Sequence, residues 1–133
     1  INFNNDITPN YGWPIASYGE HYNGGKIPQN EMKYKKYPLL KSHSENGFIE
    51  PLKFFTPSIG ISEIIKIKDQ NKYAVASLKD KSLYFFELEN KKIINFQRVE
   101  IGERIRDIII YKNIILMYLE NTGAIGLIKF EPN

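Results

Sequence analysis

The sequence predicts an all-β chain: about two consecutive four-stranded antiparallel blades of a β-propeller, the last one incomplete, preceded by a loop-rich segment. Three observations predict it. First, a three-strand pattern occurs twice. Stretches 61–67, 72–78 and 82–88 reappear as 105–111, 113–119 and 124–130. The offset is roughly 41–44 residues, the period of propeller blades. Second, short polar turns separate the strands at every step. Third, the chain carries nine Tyr, eight Phe and many Ile, residues that fit a pleated, half-buried surface.

The lead-in comes first. Pro9, Pro14, Pro28, Pro38, Pro51 and Pro57 punctuate it, and Gly24-Gly25 and Asn46-Gly47 add turn signals. Few helix windows survive such spacing. Residues 48–55 form its best strand candidate, limited by Pro51 to an edge. From Ile61 onward strand follows strand. Lys68-Asp-Gln-Asn71, Lys79-Asp-Lys81 and Glu89-Asn-Lys91 are the first three turns. Residues 93–101 supply a fourth strand and complete one blade. The second blade has three strands, and its fourth is expected from sequence outside these residues. The predicted organisation is therefore a lead-in with an edge strand over 1–59, a complete blade over 60–103 and an incomplete final blade over 104–133.

A blade hides its two apolar faces only against neighbours. Ile64, Ile65, Phe85, Phe86, Ile108, Ile109, Ile114, Ile115 and Leu116 are too many for two blades to cover. The chain by itself is expected to self-associate through the uncovered faces. It begins at Ile1 rather than Met, which reads as an excised or processed segment without a signal peptide. The net charge of +3 is mild and the lysines are scattered, so no nucleic-acid partner is expected. No apolar run reaches the ~18 residues of a membrane span. The absence of cysteine removes disulfides, thiolate metal sites and a Cys nucleophile.

Strand direction alternates within a blade, so the turn between second and third strands shares a rim with the start of the innermost strand. One such turn carries Lys79. The next blade's innermost strand begins Arg104-Ile-Arg-Asp107, and a period of two puts Arg104 and Arg106 on one face. Lys79, Arg104 and Arg106 are thus expected to converge across a blade boundary as an anion site. The competing reading is a solvated lysine with two surface arginines paired to Glu103 and Asp107. His21 and His43 read as surface or loop histidines, and Tyr11 and Trp13 as packing for the lead-in. Gly24-Gly25 is no phosphate loop, since no helix follows it. Residues 33–36 read as a solvated charge run.

Asn10-Tyr-Gly-Trp-Pro14, continuing Ile15-Ala-Ser-Tyr-Gly-Glu20, resembles a segment of the soluble PQQ-dependent aldose sugar (glucose/sorbosone) dehydrogenases. Pro57-Ser-Ile-Gly-Ile-Ser62, Ala76-Ser-Leu-Lys79, Arg104-Ile-Arg-Asp107 and Leu127-Ile-Lys-Phe130 resemble later landmarks of that family, in order. The resemblance spans nearly the whole chain and the last third or so of a family member. It implies a six-bladed propeller that binds pyrroloquinoline quinone (PQQ) through Lys79, Arg104 and Arg106. It also implies calcium, held largely by upstream residues, and a catalytic histidine from an earlier blade. No catalytic or metal-ligating residue is expected here, so the segment alone should be inactive. The parent would oxidise an aldose C1 hydroxyl in a periplasmic or secreted setting. One departure is Thr56, where some members carry an aromatic residue that would stack on the cofactor. The alternative is a propeller without cofactor that binds sugar or protein.

Overall fold

The structure, a computed structural model, describes residues 9–12, 16–20, 43–67 and 71–130. The chain divides into two compact units, Ile1–Ser58 and Ile59–Asn133. Among the described residues, the second unit holds seven strands: β1 (Ile61–Lys66), β2 (Lys72–Ser77), β3 (Ser82–Glu89), β4 (Lys92–Glu100), β5 (Ile105–Tyr111), β6 (Ile114–Leu119) and β7 (Ala124–Lys129). They form two antiparallel sheets, β1-β2-β3-β4 and β5-β6-β7, each strand beside its chain neighbour. Such simple meanders suit short polar turns. Asn90 and Lys91 both take positive φ, the geometry of a two-residue hairpin whose twist matches its strands.

The sheets pack through one core. Ala74, Ala76 and Leu83 from the first sheet cluster with Ile105, Ile108, Ile115 and Met117 from the second. All are buried, and Leu83, Ile105 and Ile115 are fully so. The expected apolar excess is real in part. Phe86, Ile108 and Ile115 are buried, whereas Ile64 and Ile109 stay exposed. Register explains the second sheet: Ile109, Leu116 and Leu127 lie side by side, as do Tyr118 and Ile125, on the face turned away from the core. Of these, Ile109, Tyr118, Ile125 and Leu127 are exposed.

Both innermost strands carry the same irregularity. In β1, Ile61 pairs with Ser77 and Glu63 with Ala76, which leaves Ser62 as an extra residue. In β5, Ile105 pairs with Leu119 and Asp107 with Tyr118, which leaves Arg106 extra. Each bulge is braced alike. The carboxylate after the extra residue accepts the next amide, Ile64 N–H to Glu63 and Ile108 N–H to Asp107, both at 2.8 Å. Bulges re-aim side chains that strict alternation would send elsewhere.

The edge strand expected over 48–55 is not present; these residues run as irregular backbone around a 3-10 turn at Ser44–Asn46. Pro51 offers no donor to a ladder. Glu50 is committed to the loop instead. One of its oxygens accepts the His43 amide (2.8 Å), the Ser44 amide (2.9 Å) and the Ser44 hydroxyl (3.1 Å). The other accepts the Tyr18 hydroxyl at 2.9 Å. The Tyr18 ring stacks on His43 and on Phe54, with centroids 5.0 and 4.2 Å apart. The Asn10-Tyr11-Gly12 segment has a backbone reason for its glycine. Gly12 has φ +80°, and a Cβ there would lie 2.7 Å from the Phe48 ring.

These hydrogen bonds, the Ser44 amide foremost, hold the Glu50 carboxyl down to about 2 from an ordinary 4.5. A depressed carboxyl stabilises the loop above its unfolded pKa and loses that contribution as the pH falls through the folded one. The tertiary signal of the Tyr18 stack should therefore decay between about pH 4.5 and pH 2. Glu50→Gln should weaken that signal at neutral pH and abolish the acid step. An unchanged acid titration in the variant would refute the assignment.

Candidate functional site

Lys79 lies in the turn between β2 and β3, and the sequence closes this turn from within. The Ser77 hydroxyl donates to the Ser82 carbonyl (2.8 Å) and accepts the Ser82 amide (3.0 Å); both serines are fully buried. Beside Lys79, Asp80 accepts Arg98 Nε at 2.8 Å and the Tyr84 hydroxyl. The Arg98 hydrogen bond is the main reason the Asp80 carboxyl falls to about 2. The turn is also fixed to the approach of β1. The Lys79 and Asp80 amides both donate to the Ile59 carbonyl, at 2.9 and 3.2 Å, and the Leu78 amide donates to Gly60 at 2.7 Å. Gly60 has φ +64°, and a Cβ there would sit 3.2 Å from the Lys79 nitrogen, so glycine permits the close approach.

The arginines flank Ile105 at the start of β5. Arg104 Nε lies 3.3 Å and Arg106 Nη2 2.8 Å from the same Glu120 oxygen. Glu120 follows β6, and its amide donates to the Arg104 carbonyl at 2.9 Å. Arg106 foremost, then Arg104, hold the Glu120 carboxyl below its ordinary range. The side chains of Arg104 and Arg106 remain 39% and 50% exposed. Two guanidinium charges therefore share one carboxylate and keep open donors. Among the described residues neither arginine pairs with another carboxylate.

Both sequence readings need adjustment here. The arginines do pair, but neither Glu103 nor Asp107 is the partner. Glu103 accepts the Thr122 amide and hydroxyl, and Asp107 caps Ile108. Both arginines reach one Glu120 oxygen on the side away from the buried Ile105, although Arg106 is also the extra residue of the β5 bulge. The Lys79 turn is linked to the start of β5 through the backbone: its amide is bonded to the Ile59 carbonyl, β1 starts two residues on, and the Ser62 hydroxyl in β1 donates to the Ile105 carbonyl at 2.6 Å. Glu120 is the residue that sequence reasoning missed. Its only signal is position, at the end of the hairpin strand that returns opposite Arg104.

His43 is a loop residue but a buried one, with Nδ1 3.8 Å from Glu50. Tyr11 is exposed. Trp13, His21, Gly24, Gly25 and residues 33–36 and 68–70 lie outside the described residues. Among the described residues no cluster of three His, Asp or Glu is arranged to hold a metal ion, and no helix is long and apolar enough to cross a membrane.

The family model of glucose/sorbosone dehydrogenases matches residues 5–128. The chain belongs to this family. It is 27% identical over 131 residues to the aldose sugar dehydrogenase YliI of Escherichia coli K12, covering 92% of this chain and 33% of that protein. It is 26% identical to the uncharacterized protein slr1608 of Synechocystis, over 74% of this chain and 23% of that one. Among solved structures, a glucose dehydrogenase matches with a TM-score of 0.68 at 25% identity, over 94% of this chain and 36% of that one. The soluble aldose sugar dehydrogenase from E. coli, in its apo form, shares the fold with a TM-score of 0.66 at 23% identity, over 90% of this chain and 34% of that one. The chain thus spans a third or less of the length of its curated relatives. Its two sheets are blades of the family's β-propeller.

Proposed function

We propose that this chain forms the C-terminal, cofactor-holding part of a PQQ-dependent aldose dehydrogenase, with Lys79, Arg104 and Arg106 binding the quinone. The observation that carries this reading is the pair of half-exposed arginines on one carboxylate, at the rim where two blades meet. PQQ is a tricarboxylate. A donor set with excess positive charge and open guanidinium forks suits such a group, because charge-assisted bonds to carboxylates are the strong ones. When bound, PQQ supplies the two-electron acceptor that oxidises an aldose at C1. Glu120 holds the two forks in place, and the Ser77–Ser82 lock fixes the turn that presents Lys79. Positive charge at this rim also favours a more anionic, reduced cofactor. The family resemblance implies calcium as well; among the described residues no cluster of three His, Asp or Glu is arranged to hold it.

A second reading is a propeller that binds sugar or protein without cofactor. Thr56 favours it: no ring stands there to stack on a quinone, and its hydroxyl is engaged with the Tyr18 carbonyl at 3.0 Å. The exposed row of Ile109, Tyr118, Ile125 and Leu127 supports self-association of the chain by itself. A periplasmic or secreted setting follows from the family resemblance.

One experiment separates the two readings. Adding PQQ and calcium to the full-length protein should shift the quinone absorbance and give dye reduction with an aldose. No absorbance shift at micromolar cofactor would overturn the dehydrogenase reading in favour of the binding module.

A further inference from the structure

The bulges of β1 and β5 are equivalent, yet their extra residues differ. In β5 the extra residue is Arg106, which reaches Glu120. In β1 it is Ser62, which reaches across the blade boundary and donates to the Ile105 carbonyl at 2.6 Å. That carbonyl belongs to the peptide joining Ile105 to Arg106. β5 is the edge strand of its sheet, and with the Arg104 carbonyl bonded to the Glu120 amide the next carbonyl, that of Ile105, faces away from β6 and depends on a partner from elsewhere. Ile105 is fully buried, which raises the cost of leaving its carbonyl unpaired.

We propose that Ser62 is a positioning residue for the anion site: its cross-blade hydrogen bond fixes the Ile105–Arg106 peptide plane and so aims the Arg106 side chain. This inference rests on the cofactor reading above. The logic is geometric. The peptide plane sets where the Arg106 Cα–Cβ bond points, and a guanidinium at the end of a long side chain magnifies any error at its root. Glu120 corrects the tip of the side chain, and Ser62 constrains its base. A neighbouring blade thereby controls a ligand contact that it does not itself make.

The test uses the full-length protein and PQQ binding followed by absorbance titration, with thermal unfolding as a control. Ser62→Ala should weaken binding about three- to tenfold, the scale of one lost hydrogen bond. Ser62→Thr, which keeps the hydroxyl, should restore it. Ser62→Ala should add nothing in an Arg106→Ala background, because its effect passes through Arg106. Unchanged affinity in Ser62→Ala beside weakened affinity in Arg106→Ala would overturn the proposal and leave the cofactor reading standing. So would fully additive losses in the double variant. Unchanged affinity in both single variants would overturn the cofactor reading and this inference with it.

Discussion

Replacing Arg104 and Arg106 together by alanine should weaken PQQ binding to the full-length protein about 100-fold while leaving its thermal unfolding nearly unchanged. Losing one partner of a hydrogen-bonded charge pair at a buried interface costs about 2–5 kcal/mol. Half-exposed arginines fall at or below the low end, so two together amount to about 3 kcal/mol, or about 100-fold. The stability side follows from exposure. Glu120 would lose both partners, but its side chain is 32% exposed, and water replaces them. Its carboxyl should then titrate nearer the ordinary range, because the arginines are what depress it. Arginine-to-lysine replacements would keep the charge but lose the planar fork, and should recover only part of the affinity. Titration of quinone absorbance reads all of this. An unchanged dissociation constant in the double alanine variant would remove the arginines from the site.

What was legible in the sequence depended on how local its cause was. The strands were legible because each is a run of β-branched and aromatic residues between polar turns, and the seven observed strands begin and end within a residue or so of expectation. The stretch 48–55 misled because Pro51 reads as limiting a strand to an edge, while the sequence does not show that Glu50 spends its oxygens on loop amides. The site was half legible. Arg104 and Arg106 meet on one carboxylate, as strands of period two allow, but the identity of that carboxylate does not follow from the sequence. Glu103 and Asp107 are the acids nearest in sequence, whereas Glu120 becomes nearest only after β6 folds back on β5. The bulges at Ser62 and Arg106 were not legible at all. A bulge is a mismatch between two strands, and neither strand alone records it.

Ile105→Ala is the core change with the largest consequence, since Ile105 belongs both to the inter-blade core and to the site. Its side chain is fully buried among Leu83, Ile108 and Met117's cluster, while its neighbours in sequence are the two arginines. Truncation of such a residue costs about 2–5 kcal/mol through lost burial and the cavity left behind. Stability alone would not separate its two roles. Ile115→Ala supplies the comparison: it is equally buried in the same cluster but pairs with Ile110, at the other end of β5. That is about 15 Å from Ile105 at the usual strand rise of ~3.3 Å per residue. Chemical denaturation should show similar losses for the two variants. Only Ile105→Ala should also weaken PQQ binding, because the cavity it leaves lies beneath the bulge that aims Arg106. Equal binding by both variants would mean that the packing beneath the arginines contributes stability without orientation.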